Sequence, residues 1–155
     1  MSRRAVLFAI LTGLLICFIW GQSMLPRDIS AGESSLLMDW LKPLLDPQGR
    51  VDDDLFHHDL RKCAHFTEYA ALGFSMAGLL LHLPKRKRRP LWGLPAVLCV
   101  AVAAVDETIQ LFSDGRGPKV LDVLLDSAGA LCGIGVYLLL RALIACHNKK
   151  NTAAS

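Results

Sequence analysis

Apolar residues in this chain are gathered into blocks. Ala5 to Trp20, Cys63 to Leu83, Leu91 to Phe112 and Val120 to Ile144 are predominantly apolar, each close to the roughly 20 residues that a helix needs to cross a hydrocarbon core about 30 Å thick. The pattern predicts an all-α integral membrane protein: a four-transmembrane-helix bundle with spans at 5–21, 62–83, 91–112 and 120–144. The long polar stretch 22–61 lies between the first two blocks. Within it, Ser34 or Ser35 caps a short helix at 35–45, on which Leu37, Trp40, Leu41 and Leu44 fall at i, i+3, i+4 and i+7. That spacing describes an interfacial amphipathic helix, which either rests on the outer leaflet or packs onto the bundle. Residues 1–147 read as one membrane domain and 148–155 as a disordered tail.

Composition narrows the class further. Hydrophobic residues make up 53% of the 155 and charged residues only 20%, which disfavours a soluble globular enzyme. The net charge of +3 matters less than its placement. Arg3 and Arg4 precede the first block, Lys85 to Arg89 fill the loop after the second, and Arg141, Lys149 and Lys150 follow the last, while Asp28, Glu33, Asp39, Asp46, Asp52, Asp53, Asp54 and Asp59 crowd the stretch between the first two. The positive-inside bias then places both termini and the 84–90 loop in the cytoplasm and the 22–61 and 113–119 loops outside. The basic run between Pro84 and Pro90 is a topology anchor, and no nucleic-acid partner is expected.

Trp20-Gly21-Gln22-Ser23 lacks the small-residue pattern of a cleavage site, so the first block reads as a retained membrane helix. The five cysteines are scattered, with neither metal-like spacing nor an even disulfide framework. Asp46 to Asp54 lacks the ligand order of a calcium loop.

Candidate chemistry lies in ionisable residues inside the apolar blocks, where a central charge costs about 2.5–3.5 kcal/mol unless it faces a bundle interior or water. Lys62, His65 and Tyr69 share a helical stripe, with His58 a turn earlier and Glu68 at its edge. Asp106 and Glu107 both neighbour Gln110. Asp122 and Asp126 stand at i and i+4, and Gly129 and Gly133 continue that stripe as a G-x-x-x-G pair that lets a neighbouring helix come close. At about 1.5 Å per residue, Tyr69 lies about 12 Å, and Asp106 and Asp126 about 9 Å, below the outer ends of their helices. They converge in one outer-leaflet layer. The inner halves are almost purely apolar, His82 being the exception, so the expected site opens outward and is sealed inward. Arg116, in the glycine-rich loop above, reaches down to the acids or clamps a phosphate.

These residues resemble the VanZ-like family of small bacterial membrane proteins. Lys62-x-x-His65-x-x-x-Tyr69-x-x-Leu72-Gly73 is similar to its first signature. Asp106-Glu107-x-x-Gln110-x-Phe112, then Arg116 and Asp122-x-x-x-Asp126-x-x-Gly129, is similar to its second, with a departure at Asp126, where many members carry Asn. Gln22-Ser23-Met24 lies where members often have a Ser-Gln-rich stretch. The resemblance implies the bacterial cytoplasmic membrane and cell-envelope biology, and the family takes its name from a member associated with low-level teicoplanin resistance.

Three readings of the polar layer stand side by side. In an envelope enzyme acting on the head group of a membrane lipid or polyprenyl-linked intermediate, His65 is general acid or base and is oriented by Glu68 or Asp106. Lys62 and Arg116 bind phosphate, Tyr69 and Gln110 contact substrate, and Glu107, Asp122 and Asp126 hold a divalent metal or activate water. In a non-catalytic protein the same layer recognises a lipid-linked precursor or a glycopeptide. In the third reading the charges are an ion-pair network that joins helices.

Overall fold

Ser2 and Asp52 are the residue types that start helices, and both do so here. The Ser2 hydroxyl accepts from the Ala5 amide at 3.2 Å and the Asp52 carboxylate from the Asp54 amide at 3.2 Å, satisfying donors that a helix start otherwise leaves orphaned. The computed structural model describes residues 2–25, 40–46, 48, 51–83, 93–112 and 120–153. Its long helices are α1 (Arg3–Met24), α2 (Asp53–His82), α3 (Leu94–Gln110) and α4 (Val120–Ala153). Pro95 stands in the first turn of α3, where a missing amide costs nothing.

Two boundaries differ from the sequence reading. Helix α2 starts before the expected span, because Asp52 as cap with Asp53 and Asp54 in the first turn is a start signal that hydropathy does not register. Helix α4 continues through 148–153, where a disordered tail was expected. No Gly or Pro stops it after Gly135, and i,i+4 contacts from Asn151 to His147 (3.2 Å) and from the Thr152 hydroxyl to the Asn148 carbonyl (2.9 Å) accompany the extra turns.

Of the expected 35–45 helix, 40–45 is helical and the remainder lies outside the described residues. Lys42 pairs with Asp53 and stands 6.0 Å from the Phe56 ring centroid, tethering this segment to the start of α2. Trp40 and Leu44 are left exposed. Leu41 is half-buried between them, and Leu37 lies outside the described residues.

Helix α2 is the hub, packing against α1, α3 and α4, while α3 also packs against α1 and α4. The chain runs up and down. Phe8 of α1 therefore meets His82 at the end of α2 and Tyr137 in the second half of α4, with ring centroids 5.6 and 5.8 Å apart. The main core holds Ile19, Tyr69, Leu72, Met76, Cys99, Ala103 and Ala130.

The tightest seam lies between α2 and α4. A Cβ on Gly133 would strike the Ala70 carbonyl oxygen, one on Gly129 the Phe66 carbonyl oxygen, and one on Gly73 the Ala130 carbonyl oxygen. Backbone meets backbone along three turns, as small residues permit in apolar surroundings. The Gly129 and Gly133 pair was legible in the spacing, whereas Gly73, which opens the seam from the α2 side, was not.

Two helices, α1 and α4, are long and apolar enough to cross a membrane, with mean hydropathy 2.1 and 2.0 over their best 18-residue windows, of which only 17% and 28% is buried. A core helix of a soluble protein hides its apolar face. Here Leu7, Ile10, Leu14 and Phe18 of α1 and Leu131, Leu139, Leu143 and Ile144 of α4 point outward, a surface suited to lipid. Helix α2, charged in its first half, and α3, at 17 residues, do not meet that measure alone.

Candidate functional site

At one end of the bundle all four helices contribute polar side chains. Ser23, on the last turn of α1, donates its hydroxyl to Asp106 Oδ1 at 2.6 Å, and Gln110 Nε2 donates to Asp106 Oδ2 at 3.1 Å and to the Ser23 hydroxyl at 3.4 Å. Asp106 is wholly buried. These bonds hold its carboxylate in one orientation, and hydrogen bonds to an ionised acceptor are the stronger kind.

From α2, His65 places Nδ1 4.0 Å from Glu68 Oε2. Tyr69 is fully buried one turn deeper, its hydroxyl within electrostatic range of Asp106, Asp126 and Glu68. From α4, Asp126 is 2% exposed. His65, Asp106 and Asp126 each offer a donor atom, all within 4.8 Å of one another. The layer that depth arithmetic assembles from separate helices is thus a contact cluster.

Lys62, His65, Glu107, Gln110, Asp122 and Asp126 line one narrow cleft above it. Its cavity of about 20 Å³ holds a water or a single ion, since one water-sized probe needs about 10–15 Å³. Anything larger must sit at the mouth. Among the described residues, the buried Tyr69 hydroxyl and Asp126 Oδ1 have no hydrogen-bond partner. Unpaired polar atoms in a buried site are costly, so both are poised for an occupant.

Glu68 stands beside His65 and does not line the cleft. Arg116, with the whole 113–119 loop, and the basic 84–90 loop lie outside the described residues. Three further residues belong to the site, although the sequence reading gave none of them a role: Ser23 appeared only in the family resemblance, His58 only on the Lys62–His65 stripe, and Arg61 not at all. Ser23 lies at the outer end of α1, at the level of Asp106, but a lone serine carries no charge to mark it. His58 and Arg61 line the cleft because α2 begins early and carries the stripe of Lys62 and His65 a turn further.

The opposite end is closed by rings. Phe74 and Phe8 both meet Tyr137 edge-on, at 5.2 and 5.8 Å. His82 stacks on Phe8, its Nδ1 2.8 Å from the Gly78 carbonyl oxygen and 3.3 Å from the Tyr137 hydroxyl. Between the two ends, the Thr12 hydroxyl donates to Ser75 at 3.1 Å and the Ser75 hydroxyl to the Leu72 carbonyl at 2.9 Å. This pair is satisfied within the bundle.

A small helical bundle with two long apolar helices exposed outward and polar groups converging at one end has the composition of a membrane protein, and that polar end is its candidate functional site. The chain belongs to the VanZ/LLP1 family, whose profile matches residues 8–141. The match takes in every candidate site residue from Ser23 to Asp126. No curated protein and no solved structure matches the chain.

Proposed function

We propose that this VanZ/LLP1 protein spans the bacterial cytoplasmic membrane four times with both termini inside, and that its polar end faces outward and engages the phosphate-bearing head group of a membrane lipid or polyprenyl-linked envelope intermediate. One observation carries the reading: a single cleft joins two cations, Arg61 and Lys62, to His65 and the acids Glu107, Asp122 and Asp126. The cations suit a phosphate at the mouth. His65, with Glu68 beside it, is placed to hand a proton to or from the bound group, and Gln110 to orient what enters, while the buried Tyr69 hydroxyl sits behind the cleft.

The apolar outer faces of α1 and α4 and the exposed Trp40 and Leu44 suit a substrate whose tail stays in the bilayer. A one-ended cleft supports work on one leaflet and does not support conduction across the membrane. The small cavity favours a second reading on the same site, recognition of the head group or of a glycopeptide without turnover. A contribution to glycopeptide tolerance of the teicoplanin type belongs to either reading.

Native mass spectrometry of the protein gently extracted from its own membrane, beside His65→Ala, Lys62→Ala and Arg116→Ala variants, tests the proposal. A co-purifying phosphate lipid retained by the native chain and lost from the variants is the expected result. Incubating that lipid with the protein separates the readings, since a changed head group means an enzyme and an unchanged one a binder. Helical, monodisperse preparations that all lack a specific lipid overturn the head-group reading, with or without turnover, and added glycopeptide that the same preparations fail to bind overturns the other.

A further inference from the structure

Beneath the cleft, the three donors contributed by α2, α3 and α4 share more than proximity. We propose that His65, Asp106 and Asp126 bind one first-row divalent cation, zinc by the donor set, at the floor of the cleft. The site does not depend on the head-group reading. It also differs from the acidic trio Glu107, Asp122 and Asp126 that the sequence suggests, because helix packing turns Asp106 toward His65 and Asp126.

The donor set is one imidazole and two carboxylates, with atoms within 4.8 Å of one another. Zinc at about 2.0–2.2 Å from nitrogen and oxygen ligands sets tetrahedral ligands about 3.4 Å apart, so small side-chain rotations close the group. An imidazole in the set disfavours magnesium and calcium, which take oxygen ligands. Three protein donors leave a fourth position toward the cleft, the arrangement of an open site. His65 and Asp126 line the cleft, and Asp106 is wholly buried behind it, so the open position faces the cleft's small cavity.

Two further observations point to an occupant. Asp126 is 2% exposed, and its Oδ1 has no hydrogen-bond partner among the described residues. The wholly buried Tyr69 hydroxyl beside it likewise has none. Asp106, Glu107 and Asp126 also bring three carboxylates into a buried space, where a dication offsets charge that apolar surroundings resist.

The surroundings are those of a metal's outer shell. Ser23 and Gln110 orient the Asp106 carboxylate through bonds of 2.6 and 3.1 Å. Binding through His65 Nε2 leaves Nδ1 toward Glu68 at 4.0 Å, the position of a carboxylate that steers a ligating imidazole.

The test uses the full chain in detergent, stripped with a chelator and free of added lipid, titrated with zinc and then cobalt. One zinc per chain is expected. Its affinity should fall about 100-fold in His65→Gln, Asp106→Asn and Asp126→Asn, as even outer-shell changes cost about 10–100-fold, and should stay within about threefold in His147→Gln at the far end. If a variant loses its helical signal, His65→Cys decides instead, because the cobalt form should gain a thiolate charge-transfer band. Stoichiometric zinc with no lipid bound separates this site from the head-group proposal. No stoichiometric zinc on the native chain, or binding that His65→Gln, Asp106→Asn and Asp126→Asn leave unchanged, overturns it.

Discussion

Ser23 and Asp106 are joined by a buried hydrogen bond of 2.6 Å between the last turn of α1 and the last two turns of α3. No other side-chain to side-chain hydrogen bond among the described residues links these two helices apart from the 3.4 Å contact of Gln110 with the same Ser23 hydroxyl. The bond therefore both fixes α1 in the bundle and orients a carboxylate of the candidate site.

Ser23→Ala should lower stability by about 1–3 kcal/mol, the range for stranding one partner of a buried hydrogen bond. Thermal unfolding in detergent reads this. An unchanged midpoint would mean that the Ser23 bond adds nothing to what apolar packing and the Thr12–Ser75 bond already supply.

The α2–α4 seam makes a sharper prediction by contrast. Gly133→Ala should destabilise by about 1–3 kcal/mol, as overpacking does, because the new Cβ meets the Ala70 carbonyl. Gly135→Ala, with nothing within 4 Å, should be neutral or stabilise by up to about 1 kcal/mol through helix propensity. The pair of melting curves checks the geometry; equal effects contradict it.

Much of this was legible in the sequence, and for identifiable reasons. Apolar blocks reveal the long helices because lipid and core both demand them. The stripes Lys62–His65–Tyr69 and Asp122–Asp126–Gly129–Gly133 reveal the inward faces because helical periodicity is strict. What hid was either uncharged, like Ser23, or set by a start signal outside the apolar pattern, like the early beginning of α2 that brings in His58 and Arg61. The sequence narrowed the acids beside His65 to Glu68 or Asp106 but could not add Asp126 to them. Spacing orders residues within one helix, whereas the approach of Asp106 to His65 depends on how α3 leans against α2.

The native cysteines test the orientation. Cys63 and Cys146 are exposed, at opposite ends of the bundle, and Cys99 is buried. A membrane-impermeant maleimide added to intact spheroplasts should label Cys63 and reach Cys146 only after permeabilisation, with single-cysteine variants assigning the signal. The reverse order would invert the proposed topology.

The 40–45 segment should lie at the lipid surface. In vesicles containing lipids brominated near the head group, the Trp40→Phe variant should lose a clear share of the quenched fluorescence, since Trp40 is 84% exposed and tryptophan favours that boundary. If the quenched share is the same with and without Trp40, the segment faces water.

The ring plug of Phe8, Phe74, His82 and Tyr137 at the far end has a kinetic consequence. A cleft with one entrance admits and releases through the same mouth, so arrival and departure compete for a single path. Should turnover be found, its product will inhibit competitively against substrate. On the topology proposed above, a head group that enters this cleft would have to reach the outer leaflet by another route.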